Sequence, residues 1–229
     1  MAVEILFHGH ACFELSDGTA RVLIDPFLAP DNPAATTTAD DVDPTDILLT
    51  HGHPDHLGST VEIAKRTGAG CMAVTDLARW LGEQGVEDAS GPNLGGTITT
   101  GWGSVKLVPA IHTNSVPDGT VISEAAGLIV RIGGITVHHL GDTCLFGDLR
   151  LIAERDRADV ALVPIGGHFT MDRHDAAVAC ELLGAPTVIP CHYNTFPVIE
   201  TDAEAFKTEV ESRGAGSVVI LAPGESHSV

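Results

Sequence analysis

Short apolar runs bounded by turn residues alternate along the chain with longer amphipathic stretches. Residues 3–7, 11–15 and 20–24 read as strands, the last two joined by a Ser16-Asp17-Gly18 turn. Ile47-Leu48-Leu49 has the character of a buried strand and gives way abruptly to the polar segment that begins at Thr50 and His51. Residues 57–67 have helical spacing and stop at Gly68, and a strand over 72–74 follows. Asp76 is placed as the N-cap of a helix running through Leu81. Strands over 97–100, 105–108, 128–132 and 136–140 come next, the last pair joined by Gly133-Gly134. Helices near 148–154, 172–183 and 202–212 then alternate with strands over 160–163, 187–189 and 218–221.

The pattern repeats at a spacing of about 116 residues. Phe13 to Asp25 matches Ile129 to Asp142, each a strand, a turn, a strand and an Asp. Asp46-Ile47-Leu48-Leu49 matches Asp159-Val160-Ala161-Leu162, and Gly68-Ala69 matches Gly184-Ala185. One such unit cannot bury the apolar face of its sheet alone, so two copies are expected to pack sheet on sheet with helices outside. The expectation is one domain over residues 1–229, built from similar halves of about 1–115 and 116–229, with loops at the ends of the central strands meeting in one cleft.

Composition narrows the function classes. The chain of 229 residues is 44% hydrophobic, enough for a single large core. It carries 31 acidic against 12 basic residues, a formal net charge of -19. So few cations argue against a broad nucleic-acid-binding face. An aromatic content of 4% weakens the case for a base-stacking pocket. The acidity fits a protein working in concentrated salt or a source whose coding bias disfavours Lys, and both readings stay open. No apolar run approaches the length of a membrane span, and the start Met1-Ala2-Val3-Glu4-Ile5 lacks a basic leader pattern. Five cysteines without a CxxC suit reduced thiols, so a cytoplasmic location is expected.

The twelve histidines are unevenly placed. Thr50-His51-Gly52-His53-Pro54-Asp55-His56-Leu57-Gly58 puts three His and one Asp within six positions directly after a buried strand. Imidazole and carboxylate are the usual ligands of zinc and its first-row neighbours, and a turn led by Gly52 and Pro54 lets adjacent side chains serve two ions.

His-x-His-x-Asp-His resembles the signature of the metallo-β-lactamase superfamily. That family's later His after a strand is matched by His112 in Val108-Pro109-Ala110-Ile111-His112-Thr113, its bridging Asp by Asp142 in His139-Leu140-Gly141-Asp142-Thr143, and its last His by His192 in Ile189-Pro190-Cys191-His192. Phe7-His8-Gly9-His10-Ala11, Asp25-Pro26-Phe27 and the segments 164–171 and 191–197 are similar to the small metal-dependent hydrolases related to the ascorbate-phosphate lactonases.

The resemblance implies a four-layer αββα sandwich of two mixed sheets. It implies one ion on His51, His53 and His112, a second on Asp55, His56 and His192, and Asp142 shared. Superfamily members that hold di-iron for redox work carry Glu where this chain has His53, so a hydrolytic site is implied. The ions would be zinc, with manganese, iron or nickel as alternatives.

Such a centre would cleave an ester, lactone or phosphodiester bond of a small anionic substrate, with Asp55 or Asp142 orienting the nucleophile. The alternative is a non-catalytic metal-bound sensor. Asp25 is expected to accept the free N–H of a ligand His. His10 is expected to face the cleft. His168, after Gly166-Gly167, is expected to donate to a substrate oxygen or leaving group. Asn194 is a candidate substrate contact, with turn bonding as the other reading. Residues 28–42 and 113–123 are expected to overhang the cleft. An exposed apolar patch would point to a homo-oligomer.

Overall fold

The protein is described by a computed structural model covering residues 2–229, so Met1 of the N-terminal reading lies outside the described residues. Strands β1 (Glu4–Gly9), β2 (Cys12–Ser16) and β3 (Arg21–Ile24) pair antiparallel. Next, β4 (Asp46–Leu48), β5 (Gly70–Met72) and β6 (Ala89–Ser90) extend the sheet in parallel from β3. The second sheet repeats this plan. Its strands β7 (Thr97–Thr99), β8 (Gly103–Pro109), β9 (Ala126–Ile132) and β10 (Ile135–His139) are antiparallel. From β10, the strands β11 (Val160–Pro164), β12 (Thr187–Cys191) and β13 (Ser217–Val218) run parallel. Strand β14 (Ser226–Ser228) returns to pair with β1, so each sheet has seven strands. The repeated sequence segments occupy matching places in the two sheets, although the chain changes sheet between β6 and β7, earlier than the division near residue 115.

The central parallel strands β11 and β12 are buried on both faces, which explains their nearly unbroken apolar runs. In β11, Val160 and Leu162 pack with first-sheet residues such as Ile5 and Leu23. Ala161 and Val163, pointing the other way, pack against the helices α5 (Arg173–Leu183) and α6 (Ala203–Ser212). The result is the αββα sandwich of two mixed sheets. Asp172 caps α5 by accepting from His174 N–H and Asp175 N–H, and Asp202 caps α6 through Ala205 N–H.

Four local expectations are corrected, the first being the strand over 72–74, which lies instead at β5, Gly70–Met72. The helix over 57–67 is two, α1 (Pro54–Leu57) and α2 (Thr60–Thr67). Gly58 breaks it at φ +43, where a Cβ would come within 2.2 Å of the Pro26 carbonyl oxygen. Asp76 lies inside the first turn of α3 (Thr75–Glu83), whose N-cap is Val74. The strand over 218–221 stops at Val218, because the chain must cross back to β1, where Gly224 N–H donates to the Phe7 carbonyl at 2.7 Å. Among the described residues, no helix is long and apolar enough to cross a membrane. All five cysteines are free, and only Cys144 is exposed.

Candidate metal centre

The centre forms where strands of both sheets end at one edge, the usual location for a site in a sheet of parallel strands. Buried β4 leads through Leu49 and Thr50 to His51. Pro54 then opens α1, with His53 at the N-cap position and its carbonyl accepting from His56 N–H at 3.0 Å. This tight entry sends His51 and His53 one way and Asp55 and His56 another. The ring nitrogens of His51, His53 and His112 lie within 4.8 Å of one another, as do donor atoms of His10, Asp55, His56 and His192. Asp142, just beyond β10, stands between the groups. Its carboxylate lies 3.2 Å from His56 Nε2, 3.1 Å from His192 Nε2 and 3.5 Å from His112 Nε2.

Asp25, fully buried beyond the end of β3, organises the base of this cluster. Its Oδ1 accepts from Thr50 N–H at 2.8 Å. Its Oδ2 accepts from the Thr50 hydroxyl at 2.6 Å and from His56 Nδ1–H at 2.7 Å. The Thr50 hydroxyl, having given its proton to Asp25, is free to accept from His51 Nδ1–H at 3.0 Å. One carboxylate, directly and through Thr50, therefore holds a proton on Nδ1 of both rings, so that in the neutral form of each the lone pair lies on Nε2. His10 supports the other side, with Nδ1 at 2.9 Å from Thr195 Oγ1 and Nε2 at 3.1 Å from Asp55 Oδ2.

Two further expected residues lie apart from the cluster. Asn194 is exposed, and its Oδ1 accepts the Thr201 N–H at 2.8 Å, which is the turn-bonding alternative. His168 is exposed at φ 55 and stacks edge-on against Phe169, with ring centroids 4.5 Å apart. Phe169 lines the cavity over the cluster, whose volume is about 290 Å³; the other lining residues are His53, Pro54, Asp55, His112, Thr113 and Asp142.

Three positioning residues escaped the sequence reading. Thr50 was visible only as the end of a strand. His139 sits beside Asp142 in sequence, its Nε2–H donating to the Ala11 carbonyl and its Nδ1 accepting from Gly141 N–H, both at 3.0 Å. It ties the first sheet to the turn that presents Asp142. Asn114 accepts the N–H of Gly52, between two candidate ligands, at 2.9 Å and donates to the Glu124 carbonyl. Nothing in the sequence marks this Asn apart from its nearness to His112. Asn114→Ala is expected to weaken metal retention by about 10-fold or more, the scale of outer-shell partners, with little change in fold. Competition with a chromophoric chelator measures this, and an unchanged affinity would remove Asn114 from the support of the centre.

Burial opposes charge on His56, yet Asp142 and Asp25 on either side raise its pKa above the usual imidazole range. Burial likewise opposes charge on His192, but Asp142 and Asp55 push it up to about 9. Asp142 is held below the ordinary carboxylate range despite burial, by His192 and His56. Asp55 is held low in the same way by His10 and His192. Burial beside His56 pushes His51 down. Within this crowd, His56 Nε2, Asp142 Oδ1 and both ring nitrogens of His192 are buried without a hydrogen-bond partner. Unpartnered polar atoms gathered at one point fit cations, and the donor set of imidazole and carboxylate fits divalent first-row metals.

Fold and site together define a metallo-β-lactamase-type protein with a His/Asp cluster whose donor set suits a metal. A profile described as the beta-lactamase superfamily domain matches residues 4–192. The chain belongs to this superfamily, and its relatives are named as UPF0173 metal-dependent hydrolases. One from Methanoregula boonei is 46% identical over 230 residues, covering 99% of this chain and 98% of its own. Another, from Archaeoglobus fulgidus, is 46% identical over 230 residues, covering 98% of each. The structure is similar to that of Igni18, a metallo hydrolase from Ignicoccus hospitalis, with a TM-score of 0.90, 36% identity and coverage of 100% of this chain and 99% of that one. The chain is accordingly a metal-dependent hydrolase of the superfamily.

Proposed function

We propose that the chain uses two divalent ions, zinc or alternatively manganese, iron or nickel, to hydrolyse an ester, lactone or phosphodiester bond of a small anionic substrate in the cytoplasm. His51, His53 and His112 hold one ion, Asp55, His56 and His192 hold the other, and Asp142 reaches both. The observation that carries this reading is the convergence of seven donor side chains around buried polar atoms that lack partners. Such ions would supply Lewis acidity to a water nucleophile and to the scissile oxygen.

The chain's own residues do the rest. Asp25, directly and through Thr50, keeps His56 and His51 in the ligating tautomer. Asp55 lines the cavity with Oδ2 fixed by the His10–Thr195 pair, so its carboxylate is set to orient the attacking water before substrate arrives. Two ions against the charges of Asp55 and Asp142 leave about +2, which draws an anionic group at close range inside an acidic protein.

The test is turnover of lactones, thioesters and phosphodiesters by protein loaded with zinc, manganese, cobalt or nickel. Turnover of one class, abolished by chelation and restored by metal, is the expected result. Silence across every class at full metal occupancy would overturn the reading in favour of a metal-bound sensor.

A further inference from the structure

The cavity over the centre has one aromatic lining residue, and it is exposed. Phe169 leaves 53% of its surface uncovered, although a Phe side chain gains most from burial. Other exposed apolar side chains, such as Val121 and Leu151, do not line this cavity.

The turn that carries Phe169 is strained and firmly anchored. His168 holds a left-handed φ of 55, a conformation that non-glycine residues avoid. A Cβ on Gly166 would come within 2.2 Å of the His192 carbonyl oxygen, so the turn lies directly on the strand end carrying a candidate ligand. Met171 N–H, closing the turn, donates to the Thr143 carbonyl at 3.1 Å, one residue beyond Asp142. The Thr143 hydroxyl in turn accepts from Ile111 N–H at 3.0 Å, and Ile111 is itself 53% exposed. Phe169 is thus fixed relative to Asp142 and His192, and the His168 ring props it edge-on at 4.5 Å.

We propose that Phe169, propped by His168, is the wall that receives a flat apolar arm of the substrate, so that favoured substrates join an anionic or ester group to one aryl-sized ring. This rests on the hydrolase reading above. The cavity, about 290 Å³ in volume, has room for a single ring and its reacting group. His168 is then a positioning residue for Phe169.

The test is calorimetric binding of phenylphosphonate and methylphosphonate to the zinc-loaded protein, since the two share an anionic head and differ in the arm. The phenyl compound is expected to bind about 10-fold tighter, with Phe169→Tyr keeping that preference and Phe169→Ala erasing it at unchanged zinc content and unchanged methylphosphonate affinity. His168→Ala is expected to lose part of the preference. Phenylphosphonate binding no tighter than methylphosphonate, or a preference that survives Phe169→Ala, overturns the inference alone. A zinc-loaded protein that binds neither compound overturns the proposed anionic substrate along with it.

Discussion

Asp142→Ala is expected to strip the centre of most of its metal and to remove metal-dependent turnover altogether. Asp142 is the carboxylate that faces donors of both groups, His112 on one side and His56 and His192 on the other. Its oxygens lie within 3.5 Å of His56, His112 and His192, so the substitution removes the carboxylate charge that faces all three. The loss should exceed the roughly 10- to 100-fold in affinity that follows removal of an outer-shell partner. His53→Ala makes the informative comparison, because His53 is half-buried and belongs to one group alone. It is expected to lose about one equivalent of metal while the group around His56 keeps its own. Metal analysis after dialysis against buffer distinguishes the two variants. Unchanged stoichiometry in both would sink the ligand assignment, and equal partial loss in both would deny Asp142 its shared position.

What could be read from the sequence was local. The paired hairpins β2–β3 and β9–β10 announce themselves by apolar runs around turn residues, and α5 and α6 begin at Asp residues that cap them. The His-rich loop is legible because its ligands are crowded into one segment after a strand. The remaining features depend on partners remote in the chain. Gly58 breaks a helix because the Pro26 carbonyl lies against it, which no periodicity reveals. Strand β14 has the polar sequence Ser-His-Ser and exists because β1 offers it an edge. Asn114 reaches Gly52 across 62 positions, and His139 reaches Ala11 across 128. His168 looked like a chemical group because it follows two glycines. The structure places it exposed at φ 55, next to Phe169, which lines the cavity. Side chains that hold ligands in place carry no spacing signature, since their geometry is written in tertiary contacts.

Asp25→Asn is expected to lower metal affinity by about 10- to 100-fold while leaving the fold nearly intact. The carboxylate accepts everything offered to it: a backbone N–H on Oδ1, and a hydroxyl and an imidazole N–H on Oδ2. An amide of the same shape must place one NH2 where an acceptor stood. It cannot face the Thr50 N–H, which is fixed as a donor, so it takes the Oδ2 position. There it meets Thr50 Oγ1 and His56 Nδ1, both of which can reverse. His56 must then accept at Nδ1 and carry its proton on Nε2, the atom that faces Asp142. The Thr50 hydroxyl, now accepting from the amide, turns its proton toward His51 Nδ1 and moves the His51 proton to Nε2 as well. One substitution thus protonates a ligating atom in each group of donors while every hydrogen bond at the base survives. Asp25→Ala differs, because it leaves three buried donors without an acceptor and is expected to destabilise the protein by about 3–5 kcal/mol. Thermal melts of the metal-free proteins separate the pair, and chelator competition reads the affinity. Wild-type affinity in Asp25→Asn would show that Asp25 does not set the tautomers. A melt lowered as far as that of Asp25→Ala would show that the amide fails to preserve the hydrogen bonds at the base.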